Sequence, residues 1–221
     1  MFHNNKRMQN IWIVKIPENY TVLTKHRLLE KLPKSLYNRA NRYLEEESAL
    51  SFLTGRLLLK KAIYLNGFPI SLLEEIHYSE YGKPSLLGIN FSISHSNRYV
   101  ILAFSTKFSI GIDIEKKNDI ELKLFKYLFT EHEWESIIQA EDSLERFYWF
   151  WVRKEALLKA AGCSLKDLKQ LEVAEHNGMY KGKRYHFKSF DFDTDFKGVI
   201  AMEENVSFDA EIIDFKDLLK E

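Results

Sequence analysis

Two short sets of charged residues in this 221-residue chain have spacings that matter chemically. Asp113 and Glu115 lie in the run Ile110-Gly111-Ile112-Asp113-Ile114-Glu115. On a strand, residues two apart leave the same face, so both carboxylates project together while the isoleucines project opposite. Two close carboxylates raise each other's pKa unless a cation lies between them, and a hard divalent ion with oxygen ligands is the obvious cation. The same pattern also describes an ordinary strand with its polar face in water. Glu155 and Lys159 are four apart and share one face of a helix. As a bare pair they would be a solvated ion pair of small value. Phe147, Tyr148, Trp149, Phe150 and Trp151 precede them, however, and a helix that apolar is largely buried. That places Glu155 and Lys159 at the edge of a core or cleft.

A second group consists of donors. Ser94 and His95, in Ser92-Ile93-Ser94-His95-Ser96, stand where a strand leads into a turn and could hold a phosphate oxygen. Neighbours on a strand usually point apart, so they form no nucleophile–base pair. Lys83 sits in the turn Tyr81-Gly82-Lys83-Pro84, and Arg39 and Arg42 are three apart in a helical stretch, where they could clasp a phosphate or remain solvated. No Gly-rich phosphate loop, paired CxxC or HExxH occurs, which removes the P-loop, zinc-finger and zinc-protease classes. The single cysteine, Cys163, excludes an intramolecular disulfide framework and points to a reducing compartment.

Elements must position these groups. Residues 11–16 (IWIVKI) read as a strand. Pro33 opens a basic helical stretch that continues over 43–65, with Leu50, Leu53, Leu57, Leu58 and Tyr64 at helical spacing and Asn66-Gly67 as its stop. Short strands follow near 76–79, 91–94 and 99–104, with Asn97-Arg98 as a turn, then 110–115. Thr130 and Glu133 form a capping-box pattern, and a second helix spans 144–161 and stops at Gly162. The tail reads as strands near 171–174, 185–192, 198–202 and 208–213. Strand, helices and hairpins thus occur on each side of about residue 108, which predicts an α+β fold in two similar halves, 1–108 and 109–221.

Lys+Arg and Asp+Glu both number 32, which excludes a nucleic-acid binder driven by bulk charge. The balance is local rather than uniform: residues 1–61 carry 12 basic against 5 acidic groups, and residues 113–145 carry 4 against 10. No apolar run approaches a membrane span, and residues 1–10 lack the apolar core of a signal peptide, so the expectation is a cytoplasmic chain with no membrane or nucleic-acid partner.

Gly111-Ile112-Asp113-Ile114-Glu115, followed by Trp151-Val152-Arg153-Lys154-Glu155-Ala156-Leu157-Leu158-Lys159, closely resembles the 4'-phosphopantetheinyl transferases, whose signature is a (V/I)G(I/V)D strand and a (W/F)xxKExxxK helix. Tyr81-Gly82-Lys83-Pro84 and Asn90-Phe91-Ser92-Ile93-Ser94-His95-Ser96 match two further family blocks in the right order. The chain looks like the larger, monomeric, surfactin-synthetase-activating branch. The resemblance implies two pseudo-symmetric α+β halves with the active site at their interface. It also implies Mg-dependent transfer of 4'-phosphopantetheine from coenzyme A to a serine of an acyl or peptidyl carrier protein, releasing adenosine 3',5'-bisphosphate.

By the same resemblance Asp113, Glu115 and Glu155 are the magnesium-binding carboxylates, and Ser94 and His95 hold coenzyme A phosphates. Lys83 lies against the nucleotide end and Lys159 on the bridging pyrophosphate. Glu133 matches the glutamate proposed as general base, Arg39 a basic position reading the 3'-phosphate, and Arg42 its helper. Leu36, Ser48 and Ser51 depart from the family pattern, so the 3'-phosphate grip is expected to be rebuilt from neighbours such as Lys34 and Arg56. Carrier contacts are expected over residues 162–193, with Leu165, Leu168 and Leu171, and on apolar groups near Trp134. The same acidic cluster would also suit a Mg-dependent nucleotide pyrophosphate hydrolase, and a non-catalytic coenzyme A or carrier-binding module is the third reading.

Overall fold

A computed structural model describes residues 9–220, so most of the 1–10 stretch read for a leader lies outside the described residues. In chain order the strands and α-helices are β1 (Gln9–Lys15), α1 (Val22–Glu30), α2 (Tyr37–Ala40), α3 (Glu46–Leu65), β2 (His77–Tyr78), β3 (Pro84–Ser85), β4 (Asn90–Ser96), β5 (Tyr99–Ser105) and β6 (Ile110–Lys116). They continue with α4 (Glu131–Ile138), α5 (Ser143–Ala161), β7 (Glu172–Val173), β8 (Asn177–Tyr180), β9 (Lys183–Ser189), β10 (Phe196–Met202), β11 (Ala210–Ile213) and α6 (Phe215–Leu218). The fold is mixed α+β and divides into two compact units. The first takes the chain as far as Ser79, then Pro84–Lys107, and again from Ser207; the second takes Glu80–Lys83 and Phe108–Val206.

In the first unit a four-stranded sheet has the order β11-β1-β5-β4. β4 and β5 form a hairpin with Ser94 opposite Ile101 and His95 opposite Val100, turning at Asn97 with φ 52°. β1 pairs antiparallel with β5 and parallel with β11, which returns from the far end of the chain. α3 covers this sheet. Its buried stripe includes Leu50, Leu53, Leu57 and Leu58, Glu46 and Glu47 complement the positive end of its dipole, and Asn66 closes it by donating to the Ala62 carbonyl at 2.8 Å.

In the second unit a five-stranded sheet has the order β6-β10-β9-β8-β7, with Asp113 opposite Val199. α5 packs across β6 and β10. Asp142 caps its first turn through the Glu145 amide at 2.8 Å, and Gly162 ends it in the left-handed region at φ 68°. Phe147, Phe150, Phe129 and Trp134 pack edge-on or tilted below it in an aromatic core.

Several sequence expectations shift. The basic stretch after Pro33 is not one helix with 43–65: a 3-10 turn at Lys34–Leu36 and the single-turn α2 end at Asn41, and α3 starts afresh at Glu46. α1 and β8 carried too little periodic signal to be read. Leu168 and Leu171 are core residues, leaving Leu165 (62 % exposed) as the exposed member of that trio. Trp134 is buried too, and the exposed apolar side chain on its helix is Ile138.

Candidate active site

The second unit brings the acidic strand and the Glu155–Lys159 helix together because their repeats match. Two residues on a strand advance about 6.6 Å, and four on a helix about 6 Å. α5 runs antiparallel to β6, so its face Trp151, Glu155, Lys159 steps along Glu115, Asp113 and Gly111. Trp151 donates its indole N–H to Glu115 Oε1 at 3.2 Å, and the Lys159 ammonium lies 2.7 Å from Asp113 Oδ1. Gly111 sets how close the two elements come. A Cβ there would lie 2.1 Å from the Ala156 carbonyl oxygen and 2.3 Å from the Ala160 amide nitrogen, both helix backbone. The polar face of β6 is therefore packed against a helix rather than bathed in water, and Asp113 is only 2 % exposed.

Electrostatics follow from that burial. Desolvation and then the charge of Asp113 push the Glu155 carboxyl up to about 7; Lys159 pulls it back in part, and Glu115 adds a smaller push. Burial pulls the Lys159 ammonium down, yet Asp113, Glu155 and Glu115 outweigh it and hold Lys159 above its ordinary value. Lys159 thus pairs with Asp113 while Glu155 and Glu115 add further charge, a surplus of negative charge built from hard oxygen donors. That donor set fits a hard divalent cation, although among the described residues no three His, Cys, Asp or Glu side chains already stand close enough together to hold one. The Lys159 ammonium takes up part of the acidic face in this arrangement.

Two other predicted residues of this unit are held inside the chain. Lys83 donates to the Ala160 carbonyl at 2.7 Å and to Ser109 Oγ at 3.1 Å, capping the C-terminal end of α5, and burial lowers its pKa. Glu133 completes the capping box on α4: its Oε2 accepts the Thr130 amide at 2.9 Å, and its own amide donates to Thr130 Oγ at 3.2 Å. Its Oε1 lies 2.9 Å from the Lys154 ammonium. By spacing alone Lys154 is one letter of a motif and Trp151 one aromatic of a buried helix. The signal that could have singled out Lys154 is a charged residue on the apolar face of a buried helix.

In the first unit Ser94 is buried and His95 exposed, on opposite faces of β4 as the alternation requires. Arg39 lies on α2 with its guanidinium 4.2 Å from the Tyr78 ring centre and 5.6 Å from that of Phe52. Arg42 falls beyond the end of α2 and is exposed, so the two arginines do not share a helix face. Arg56 does approach Arg39's rings: its Nη2 donates to Tyr78 Oη at 3.1 Å, and its guanidinium lies 5.0 Å from the Phe52 ring centre. Arg56 is 5 % exposed, among the described residues its Nε and Nη1 have no hydrogen-bond partner, and burial lowers its pKa. Leu36 and Ser51 are buried, so these two departures from the family pattern are accommodated as packing, while Ser48 is half-buried.

A family model described as the 4'-phosphopantetheinyl transferase superfamily matches residues 109–208, which contain β6, α4 and α5. The chain is 28 % identical over 197 residues to the 4'-phosphopantetheinyl transferase Sfp of Bacillus subtilis, covering 82 % of this chain and 87 % of that one. It is 31 % identical over 160 residues to the 4'-phosphopantetheinyl transferase gsp of Aneurinibacillus migulanus, covering 70 % and 66 %. The 4'-phosphopantetheinyl transferase HetI of Nostoc is 29 % identical over 196 residues, covering 76 % of this chain and 81 % of its own length.

Proposed function

The chain belongs to the 4'-phosphopantetheinyl transferase superfamily, and we propose that it moves the 4'-phosphopantetheine group of coenzyme A onto a serine hydroxyl of an acyl or peptidyl carrier protein. The observation that supports this reading is the acidic face of β6 and α5: Lys159 pairs with Asp113 at 2.7 Å, and the charges of Glu155 and Glu115 leave a negative surplus there. Asp113, Glu115 and Glu155 would hold magnesium, which when bound neutralises pyrophosphate charge and orients its oxygens. Phosphoryl transfer asks for charge neutralisation and alignment more than for covalent help. The serine oxygen attacks the phosphorus that carries pantetheine and gives its proton to water, the bond from that phosphorus to the bridging oxygen breaks, and adenosine 3',5'-bisphosphate leaves. The Lys159 ammonium, held on Asp113 at 2.7 Å, would supply positive charge to the leaving oxygen.

In the first unit, Ser94 and His95 are proposed for coenzyme A phosphates, with Arg39 and Arg56 for the 3'-phosphate and Arg42 as an exposed helper. Arg56 supports this because a buried guanidinium with two nitrogens unpaired among the described residues is costly unless an anion arrives. The Tyr81-Gly82-Lys83 turn is proposed for the nucleotide end.

The test is incubation with coenzyme A, magnesium and a panel of apo-carriers, read as a phosphopantetheine mass on the carrier. Chelation and Asp113→Ala should each abolish the gain. No mass on any carrier sinks the proposal, and phosphopantetheine released without a carrier would instead mark a hydrolase.

A further inference from the structure

The surroundings of Glu133 give it different work from the base expected at that position. We propose that Glu133 and Lys154 form a buried positioning pair that fixes α5, and that neither exchanges a proton with substrate; the inference rests on the transferase reading. Lys154 is fully buried, and its ammonium has three donors. It meets three acceptors: the Leu168 carbonyl at 2.6 Å, the Leu171 carbonyl at 3.1 Å and Glu133 Oε1 at 2.9 Å. Its donors are thereby used up. The side chain of Glu133 is 10 % exposed, and both its oxygens bond inward, Oε1 to Lys154 and Oε2 to the Thr130 amide. A general base needs an oxygen within reach of the proton it removes. Here each oxygen already serves the fold.

What the pair does is mechanical. Lys154 pins α5 to the first turn of α4 through Glu133, and to the 3-10 segment Leu165–Gln170 and the start of β7 through the two carbonyls. The next residue along α5 is Glu155, about 100° around the helix, on the acidic face. Any rotation or slide of α5 would break charged hydrogen bonds in a dry interior, so the azimuth of Glu155 and Lys159 is held from the opposite side.

A cycle of Glu133→Gln, Lys154→Met and the double variant tests this. Glutamine keeps one oxygen, for Lys154 or for the Thr130 amide, and turns an NH2 donor toward the other, so Glu133→Gln should lower the urea midpoint but keep kcat within about tenfold of wild type, with the acid limb of its pH profile unmoved. Lys154→Met strands the carboxylate and should lower both kcat and the urea midpoint. The double variant, free of that stranded charge, should recover kcat at least about fivefold over Lys154→Met. The proposal is overturned if Glu133→Gln keeps the wild-type midpoint and KM for coenzyme A yet loses about a hundredfold or more in kcat, the loss expected of a general base. It is equally overturned if the double variant stays at or below the worse single variant. Should the wild-type chain modify no carrier, the transferase reading fails by itself. The urea midpoints still judge the pair: coupling supports it, and strict additivity overturns it.

Discussion

Adding one methyl group at Gly111 should cost this protein both stability and rate. Its backbone is already against α5, and a Cβ would lie 2.1 Å from the Ala156 oxygen and 2.3 Å from the Ala160 nitrogen. Ordinary non-bonded contact needs about 3.5 Å, so α5 must withdraw from β6 by about 1 Å. Neither obstructing atom belongs to a side chain that could swing aside. Overpacking of this kind costs about 1–3 kcal/mol, and the upper end applies where backbone must move. The withdrawal would stretch the Lys159–Asp113 contact from its 2.7 Å and the Trp151–Glu115 contact from its 3.2 Å beyond hydrogen-bond range. Misplacement by about 1 Å can remove about a hundredfold in rate. Gly111→Ala should therefore lower the urea midpoint, followed by tryptophan fluorescence, and cut carrier modification, followed by mass, about a hundredfold. Gly67→Ala is the control. Its φ of 77° strains a side chain, but among the described residues nothing lies within 4 Å of the added Cβ. It should lose about 1 kcal/mol and leave transfer unchanged. A Gly111→Ala protein with wild-type midpoint and wild-type rate would refute the close-approach argument.

Arg56→Leu should stabilise the free protein, because it removes an uncompensated buried charge, while weakening coenzyme A binding about tenfold or more; calorimetry and thermal melting together check it, and unchanged affinity would remove Arg56 from the site. The Glu155 carboxyl titrates at about 7 folded against 4.5 in the absence of its surroundings. The folded state then binds the extra proton between those values, so this group's contribution is fully present below 4.5 and is lost as pH rises through 7. The loss is at most about 3 kcal/mol. Melting in chelator from pH 5 to 8 should show that decline in wild type and a flatter profile in Glu155→Gln; parallel profiles would contradict the burial argument. Burial, with Asp167 nearby, pushes the Cys163 thiol up to about 11. At pH 8 iodoacetamide should therefore modify the native protein more than tenfold slower than the urea-unfolded chain, and equal rates would contradict it.

Much of this site could be read from one dimension, because residue type and spacing carry local geometry. The two-residue step of Asp113 and Glu115, the four-residue step of Glu155 and Lys159, the Thr130–Glu133 capping box and the Gly162 stop all appear where their patterns put them. Strand alternation also foretold that Ser94 and His95 would part company. α1 and β8 were illegible for the converse reason: α1 buries Leu28 alone, and β8 is four residues long, so neither carries a sustained periodicity.

Partners were the other blind spot. Lys159 shares a helix face with Glu155 but binds Asp113, 46 residues away. Lys83, apparently a turn lysine, caps a helix 77 residues on, and Lys154, one letter of a motif, meets three acceptors in the second unit's core. The sequence alone therefore determined the elements and which charges share a face, since both are set by the repeat of the backbone. Only the tertiary structure decided which of those charges are buried and what each one touches. Burial and long-range contact depend on two elements meeting, and here that meeting is set by a glycine whose missing Cβ lets a helix lie against a strand.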